Sequence, residues 1–324
     1  MNLTYSLLLL LLIRCATLAA WEPLPPLPAP NGGCSAGVLK GKIVVLGGTN
    51  WKDNTKHWLD DMWMFDPTAR EWRSLGKLPH RLTCAVVSEW KGDLILAGGF
   101  DGTQARNEVW RVKASGSVEN AGALSCRSAA AMGGMINNSL IFVGGCANPS
   151  DFQGPRKDAQ QLQPGKGTSS TVPFPTTEAL CLAANVAARN ELFMFGGATL
   201  DASNRTVNFS KAWAYSPHRA GWRPLRPLPI AVRGAAAVQL DRRHILVAGG
   251  YGGDPENFVA SIFIYDCERD TYSRTADLPI PALVALARSG DFVYVLGGED
   301  RMKHRTDVCF RIKVKELLES AARP

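Results

Sequence analysis

The chain has no apolar stretch long enough to cross a bilayer. Its longest run, Leu7 to Ile13, spans seven residues, where a membrane helix needs about twenty. Lysine and arginine never gather into a block. The net charge of +7, or +6 without residues 1–20 (which hold Arg14 and no acid), is too mild and too dispersed for a nucleic-acid binder. The five histidines, His57, His80, His218, His244 and His304, are scattered without paired ligand spacing, so no metal site is expected. There is no Gly-x-Ser-x-Gly elbow and no phosphate loop. The cysteine spacings match no zinc pattern. Three cysteines, Cys34, Cys84 and Cys181, lie 13 to 15 residues before a Gly-Gly pair, which suits small buried core residues better than a disulfide framework.

What is present is glycine and short apolar strands. The first twenty residues, MNLTYSLLLLLLIRCATLAA, combine the Leu7–Ile13 run with small residues after it, and read as an export signal. Seven cysteines follow it, an odd number that leaves at least one unpaired. Beyond them, Gly-Gly closes an apolar run at 47–48, 98–99, 144–145, 196–197, 249–250 and 297–298, after IVVL, LILA, LIFV, LFMF, ILVA and VYVL. The intervals are 51, 46, 52, 53 and 48 residues. A turn signal precedes each run, as in Lys40-Gly41 and Asn137-Asn138. An aromatic strand follows most of the pairs: MWMFD, EVWRV, AWAYS, IFIYD and VCFRI. Trp72 and Trp222 then precede Leu78-Pro79 and Leu228-Pro229, and Tyr272 precedes Leu278-Pro279.

A period near fifty with four short strands predicts an all-β, six-bladed propeller over residues 21–314. The glycines suit close backbone approach where the second strand leaves the sheet, and the aromatic residues fill the wedge between blades. After Gly297-Gly298 the chain offers one more strand, Val308 to Val314, and then a short charged tail, 315–324. The missing Trp…Leu-Pro strand is found at the start, in WEPLPPLP from Trp21 to Pro28. The N-terminal strand is therefore expected to complete the last blade and leave no free sheet edge. Blade three departs most. Its 150–172 stretch is polar and rich in Pro, Gly and Gln, and is expected to be an insertion.

In an up-and-down blade, the loops after each Gly-Gly and the connections after each Leu-Pro emerge on one face. Arg81, Arg127 and Arg233 recur in those connections, and a shared phase would ring them around the channel mouth. Such a cluster suits a carboxylate; equally, each arginine could bridge neighbouring blades.

The repeat resembles the kelch family over nearly the whole chain. One stretch, LPPLP…GGTNWKDNTKHWLDDMWMFD, is also similar to the opening of the sialic acid mutarotases (N-acetylneuraminate epimerases) and their cyclically permuted relatives. The matching positions are Trp21, Gly47-Gly48-Thr49-Asn50 and Trp58-Leu59-Asp60-Asp61. The resemblance implies an exported, cofactor-free propeller that speeds anomer exchange of N-acetylneuraminate, with an acid/base pair and a cation for the carboxylate. It adds Asn50 to Arg81, Arg127 and Arg233 as substrate-binding candidates. The family's acid/base Glu and nearby Arg lie in a loop that corresponds here to Thr199 to Ser210. That loop has no Glu; its candidates are Asp201 and Arg205, at a different spacing, with Glu299 and Asp300 as alternatives. Two functional classes remain: a mutarotase of an acidic sugar, and a non-catalytic propeller that binds a glycan or a protein.

Overall fold

The computed structural model describes residues 20–321 apart from Thr168, Ala220 and 254–256. The expected signal segment, but for Ala20, lies outside the described residues. Six four-stranded antiparallel sheets succeed one another along the chain. Blade one runs Ser35–Leu39, Lys42–Leu46, Asp61–Asp66 and Glu71–Lys77, and the later blades repeat that up-and-down order. The innermost strands, Ser35–Leu39, Val86–Trp90, Met132–Ile136, Ala184–Ala188, Ala236–Gln239 and Leu283–Ser289, each touch the next, and the last touches the first. That contact order closes the ring of a six-bladed β-propeller.

The close approach of the inner strands follows from their small residues. Ala36, Gly37, Ala85, Ala131, Gly133, Ala187, Ala236 and Ala285 line a central channel of about 750 Å³. Gly133-Gly134, the pair that falls out of the repeat's phase, lies here within an inner strand, where a Cβ on Gly134 would meet the Ala187 methyl at 2.8 Å. The second strands are apolar on both faces because each is sandwiched between neighbouring blades; Ile43, Val44, Ile95, Leu192, Phe193, Val293 and their neighbours are fully buried.

The Gly-Gly pairs make the joints. In all six blades the second glycine donates its N–H to a carbonyl at the start of the next blade: Gly48 to Leu82, Gly99 to Ser128, Gly145 to Leu180, Gly197 to Val232, Gly250 to Ala282 and Gly298 to Asn31, at 2.7 to 2.9 Å. A Cβ on the first glycine would lie 2.1 to 2.6 Å from that same carbonyl oxygen. No side chain fits there, and φ is positive at every one of these positions. A second set of links lies nearer the channel. Cys84 donates its N–H to Gly33, Ala130 to Cys84, Leu182 to Ala130 and Gly234 to Leu182, all five residues being left-handed. On the outside, aromatic residues reach back to the preceding blade. Trp72 Nε1 donates to Pro25 O (3.1 Å), Trp222 Nε1 to Pro173 O (2.7 Å), Trp21 Nε1 to Asp277 O (3.0 Å) and Tyr272 Oη to Arg226 O (2.9 Å).

The N-terminal strand closes the ring. Glu22–Leu24 pairs antiparallel with His304–Lys313 as the outermost strand of blade six. Leu24 and Leu27 are buried, and the Glu22 carboxylate binds both Arg311 (2.6 Å) and Arg70 of blade one. The segment after blade six is a packed helix, Val314–Ala321, with Val314 and Leu317 buried and Thr275 Oγ1 donating to Leu317 O at 3.2 Å.

Blade three differs from expectation. The 150–172 stretch supplies the blade's two outer strands, Ala159–Leu162 and Ser169–Thr171. Composition conceals them because only Ala159 and Leu162 bring apolar burial. Gln160 is buried as well, accepting the Ser125 N–H at 2.8 Å, and all three residues of Ser169–Thr171 are exposed.

The seven described cysteines are all free thiols. Cys34, Cys84 and Cys181 occupy adjacent rather than identical register positions, one after, at and one before the left-handed residue of their blades. Burial pushes the Cys34 and Cys309 thiols up to about 12, so both stay protonated and serve as packing groups.

Candidate functional site

The loops after the glycines and the connections after Leu-Pro share one face, here called the upper face. Three of the loops form small hairpins: Thr49–Lys52 with Thr55–Trp58, Ala198–Leu200 with Thr206–Asn208, and Tyr251–Gly253 with Asn257–Phe258. Beside the first lies a cavity of about 430 Å³ lined by Asn50, Lys52, Lys56, His57, Trp58, Leu59 and Arg81. Two of the residues that sequence reasoning proposed, Asn50 and Arg81, are thus brought together. Trp58 forms a floor, packed against Phe100 with ring centroids 6.4 Å apart and against the backbone of Gly102, where a Cβ would come within 2.9 Å of the indole. Its Nε1 is buried and makes no hydrogen bond to the described residues.

The cavity is cationic. Among the described residues no carboxylate lies within 4 Å of Lys52, Lys56 or Arg81, whereas Lys77, Arg106, Arg156, Arg205, Lys211 and Arg305 of the same face are each paired with one. Lys56 Nζ stands 5.4 Å from the Trp58 ring. Burial holds its pKa below the usual lysine value; Arg305 adds to this, while Cys84 and Glu299 oppose it.

The remaining candidates are engaged elsewhere. Arg127 is exposed and bonds the Gln104 side chain. Arg233 donates to Asn208 Oδ1 at 2.8 Å, and its guanidinium lies 4.4 Å from the Tyr251 ring and 5.3 Å from that of Phe152. It joins blades three, four and five. Its register also differs. Arg81 and Arg127 precede the carbonyls of Leu82 and Ser128 that receive a glycine N–H, whereas Arg233 follows the equivalent Val232. Asp201 accepts the N–H groups of Ser203 and Arg205 and pairs with the Arg205 guanidinium at 3.0 Å. The Arg205 N–H, aided by Ser203 and the guanidinium, lowers its pKa. It closes the tip of the blade-four hairpin. Glu299 binds Arg305 at 2.8 Å, and Asp300 bonds His304. Asp60 and Asp61 pair with Lys77 at 2.7 and 3.4 Å, and their carbonyls receive the Leu78 and Gly47 N–H groups.

Sequence reasoning missed Lys52, Lys56 and Arg305. Arg305 is buried where the blade-six hairpin meets blade one, bound to Glu299 and donating to Thr49 Oγ1 at 3.2 Å; its side chain fills the space above Gly32, where a Cβ would meet Arg305 Cδ at 2.3 Å. Lys52 and Lys56 lie within the quoted GGTNWKDNTKHW stretch. Their spacing across a tight Asp53-Asn54 turn, both left-handed, was the available signal.

The kelch motif profile matches residues 30–79 and 233–279, covering blade one and the start of blade five through its outer strand. The chain is a kelch-repeat propeller. It is 27% identical over 274 residues to Kelch-like protein 35 of Mus musculus, spanning 83% of this chain and 43% of that protein. Kelch-like protein 25 of Xenopus tropicalis is 24% identical over 277 residues, 85% of this chain and 38% of its own length. The N-acetylneuraminate epimerase of Brucella melitensis is 31% identical over 129 residues, covering 32% of this chain and 33% of the epimerase. The chain thus spans less than half the length of these relatives. No helix among the described residues is long and apolar enough to cross a membrane.

Proposed function

We propose that this kelch propeller binds the carboxylate of an acidic ligand, a sialic-acid-like sugar, in the upper-face cavity of blade one. The observation that carries the reading is the set of cations with no carboxylate partner among the described residues, Lys52, Lys56 and Arg81, around Asn50 and the Trp58 ring. Guanidinium and ammonium groups bind carboxylates through charge-assisted hydrogen bonds; an aromatic floor suits the apolar face of a sugar ring. A volume of about 430 Å³ is in the range of small-ligand sites. The partial similarity to N-acetylneuraminate epimerases supports the choice of sugar. The Leu7–Ile13 run supports export as the setting in which such a ligand is met.

Binding is favoured over mutarotation because Asp201 and Glu299, the carboxylates suggested as acid or base, are both held in ion pairs. Catalysed anomer exchange is the second reading, carried by the epimerase similarity. Both are tested in one experiment: proton NMR of a freshly dissolved single anomer of N-acetylneuraminate, with and without protein. Saturation transfer to N-acetylneuraminate but not to a neutral N-acetylhexosamine is expected. Arg81→Ala is expected to weaken binding about ten-fold or more, since a hydrogen bond to a charged group contributes roughly 1.5–3 kcal/mol. Accelerated exchange establishes the second reading. Absence of binding, or binding indifferent to Arg81, rejects the acidic-sugar site and leaves a propeller that binds protein.

A further inference from the structure

Lys56 stands apart from the other cations of the cavity. Arg81 and Lys52 are exposed and can meet a carboxylate from solvent, whereas Lys56 is half-buried against the Trp58 ring. The charged and titratable groups that act on it are Arg305 on the blade-six hairpin, Glu299 beside Arg305, and the Cys84 thiol of blade two. Glu299 is held by Arg305 at 2.8 Å and makes no ion pair with Lys56. The lysine therefore has a desolvated amine, a cationic neighbour and, among the described residues, no carboxylate bound to it. Those are the conditions that make a lysine amine nucleophilic towards carbonyl carbon.

We propose that Lys56 forms a reversible Schiff base with a small 2-oxo acid whose carboxylate is held by Arg81 and Lys52. The neutral Nζ attacks the ketone carbon, whose oxygen takes up a proton to give a carbinolamine. Loss of that oxygen as water forms the C=N bond, and hydrolysis reverses the sequence with no oxidant or reductant. The proposal rests on the reading of the cavity as a carboxylate site and deepens it: a sialic-acid-like sugar passes through an open-chain 2-oxo acid when it changes anomer. Lys56 would capture that open form.

The test uses the full chain with pyruvate as probe and sodium cyanoborohydride at near-neutral pH, followed by peptide mass spectrometry. Hydride addition to the imine leaves a stable carboxyethyl secondary amine, expected on Lys56 in preference to the exposed lysines. Lactate has the carboxylate but no ketone; it is expected to give no adduct and to suppress trapping by pyruvate. Lys56→Arg is expected to abolish the adduct while keeping the cavity's charge, because a guanidinium does not form the imine. Arg81→Gln is expected to reduce trapping about ten-fold. Lactate binding without a pyruvate adduct overturns the Schiff base and leaves the carboxylate site standing. Absence of both removes the two readings together. Adducts spread evenly over exposed lysines also overturn the proposal. Because lactate competition is read on the unaltered protein, a misfolded variant cannot decide the outcome.

Discussion

Gly144 shows how much one missing side chain contributes. Its φ is +62°, and a Cβ would lie 2.3 Å from Leu180 O, the acceptor for the Gly145 N–H at 2.8 Å. Gly144→Ala is expected to cost about 2–3 kcal/mol, since it combines left-handed strain with displacement of an inter-blade bond. Gly165 has φ +82° and nothing within 4 Å of an added carbon, so Gly165→Ala should cost only about 1 kcal/mol. Urea denaturation of the two variants measures the difference; equal losses would mean that the joints between blades do not depend on this approach. The sequence announced the glycines because backbone approach tolerates no substitute. It was less clear about the arginines. Arg81 and Arg127 come three residues after Leu78 and Leu124, but Arg233 comes five after Leu228. All three leucines are buried and donate their N–H to the same structural position, Asp60 O, Asn107 O and Ser210 O. Counting from that anchor separates Arg233 from the other two, whereas reading whole connections for composition does not.

At the scale of the strand, closure is the point most open to measurement. Deleting residues 21–30 removes the outer strand of blade six, two buried leucines and the Glu22 carboxylate that joins Arg311 to Arg70. Losing two such leucines alone is worth roughly 4–10 kcal/mol, which lowers the melting temperature by roughly 10 °C or more if folding survives. A truncated protein that melts with the full chain would reject this closure. The same strand was legible because Trp21 and Leu24 carry the repeat's outer-strand pattern. Blade three was not, since its outer strands carry almost none of the apolar alternation from which strands are read. Ser169–Thr171 is held from outside its own residues, by pairing with Ala159–Leu162 and by the Trp222 indole bound at Pro173. The cavity was half legible. Asn50 and Arg81 belong to different segments with recognisable phase, but that Lys56 sits near Arg305 depends on blade six lying against blade one, a contact between the two ends of the chain.

For the molecule as a whole, carboxylates held by cations and nearby hydrogen-bond donors, two of them at the ends of third strands, set its response to acid. Asp66 binds Lys42 at 2.7 Å and accepts the N–H groups of Thr68 and Ala69, and the Lys42 bond chiefly holds its pKa at about 2. Asp266 repeats the arrangement in blade five with Arg243 and the N–H groups of Glu268 and Arg269, and its pKa is likewise held well below the usual range. Glu178, bonded by Thr176 and paired with Lys211 at 3.3 Å, is brought to about 2. A depressed carboxylate contributes stability above its unfolded pKa, and that contribution is lost as pH falls through the folded one. The melting temperature is therefore expected to fall as pH drops from 4.5, the ordinary glutamate value, through 3.8, that of aspartate, towards about 2. Replacing Asp66 and Asp266 together by Asn should lower it at neutral pH and flatten the acid slope. An unchanged slope would show that these pairs do not govern acid stability.

The chain of left-handed residues from Gly33 through Cys84, Ala130 and Leu182 to Gly234 has a consequence for any ligand. Each link is a main-chain bond of 2.8 or 2.9 Å, so the bore of the upper opening is an eyelet with a stitched rim. Widening it by a side-chain rotation is impossible; a stitch must break first. Whatever enters the channel from above must already fit, and evolution of a new preference has to proceed through the hairpins that stand over the eyelet. The stitching leaves one sector, that of blade six, without a continuing bond among the described residues. Any give in the opening would therefore begin beside the seam where the two ends of the chain are joined.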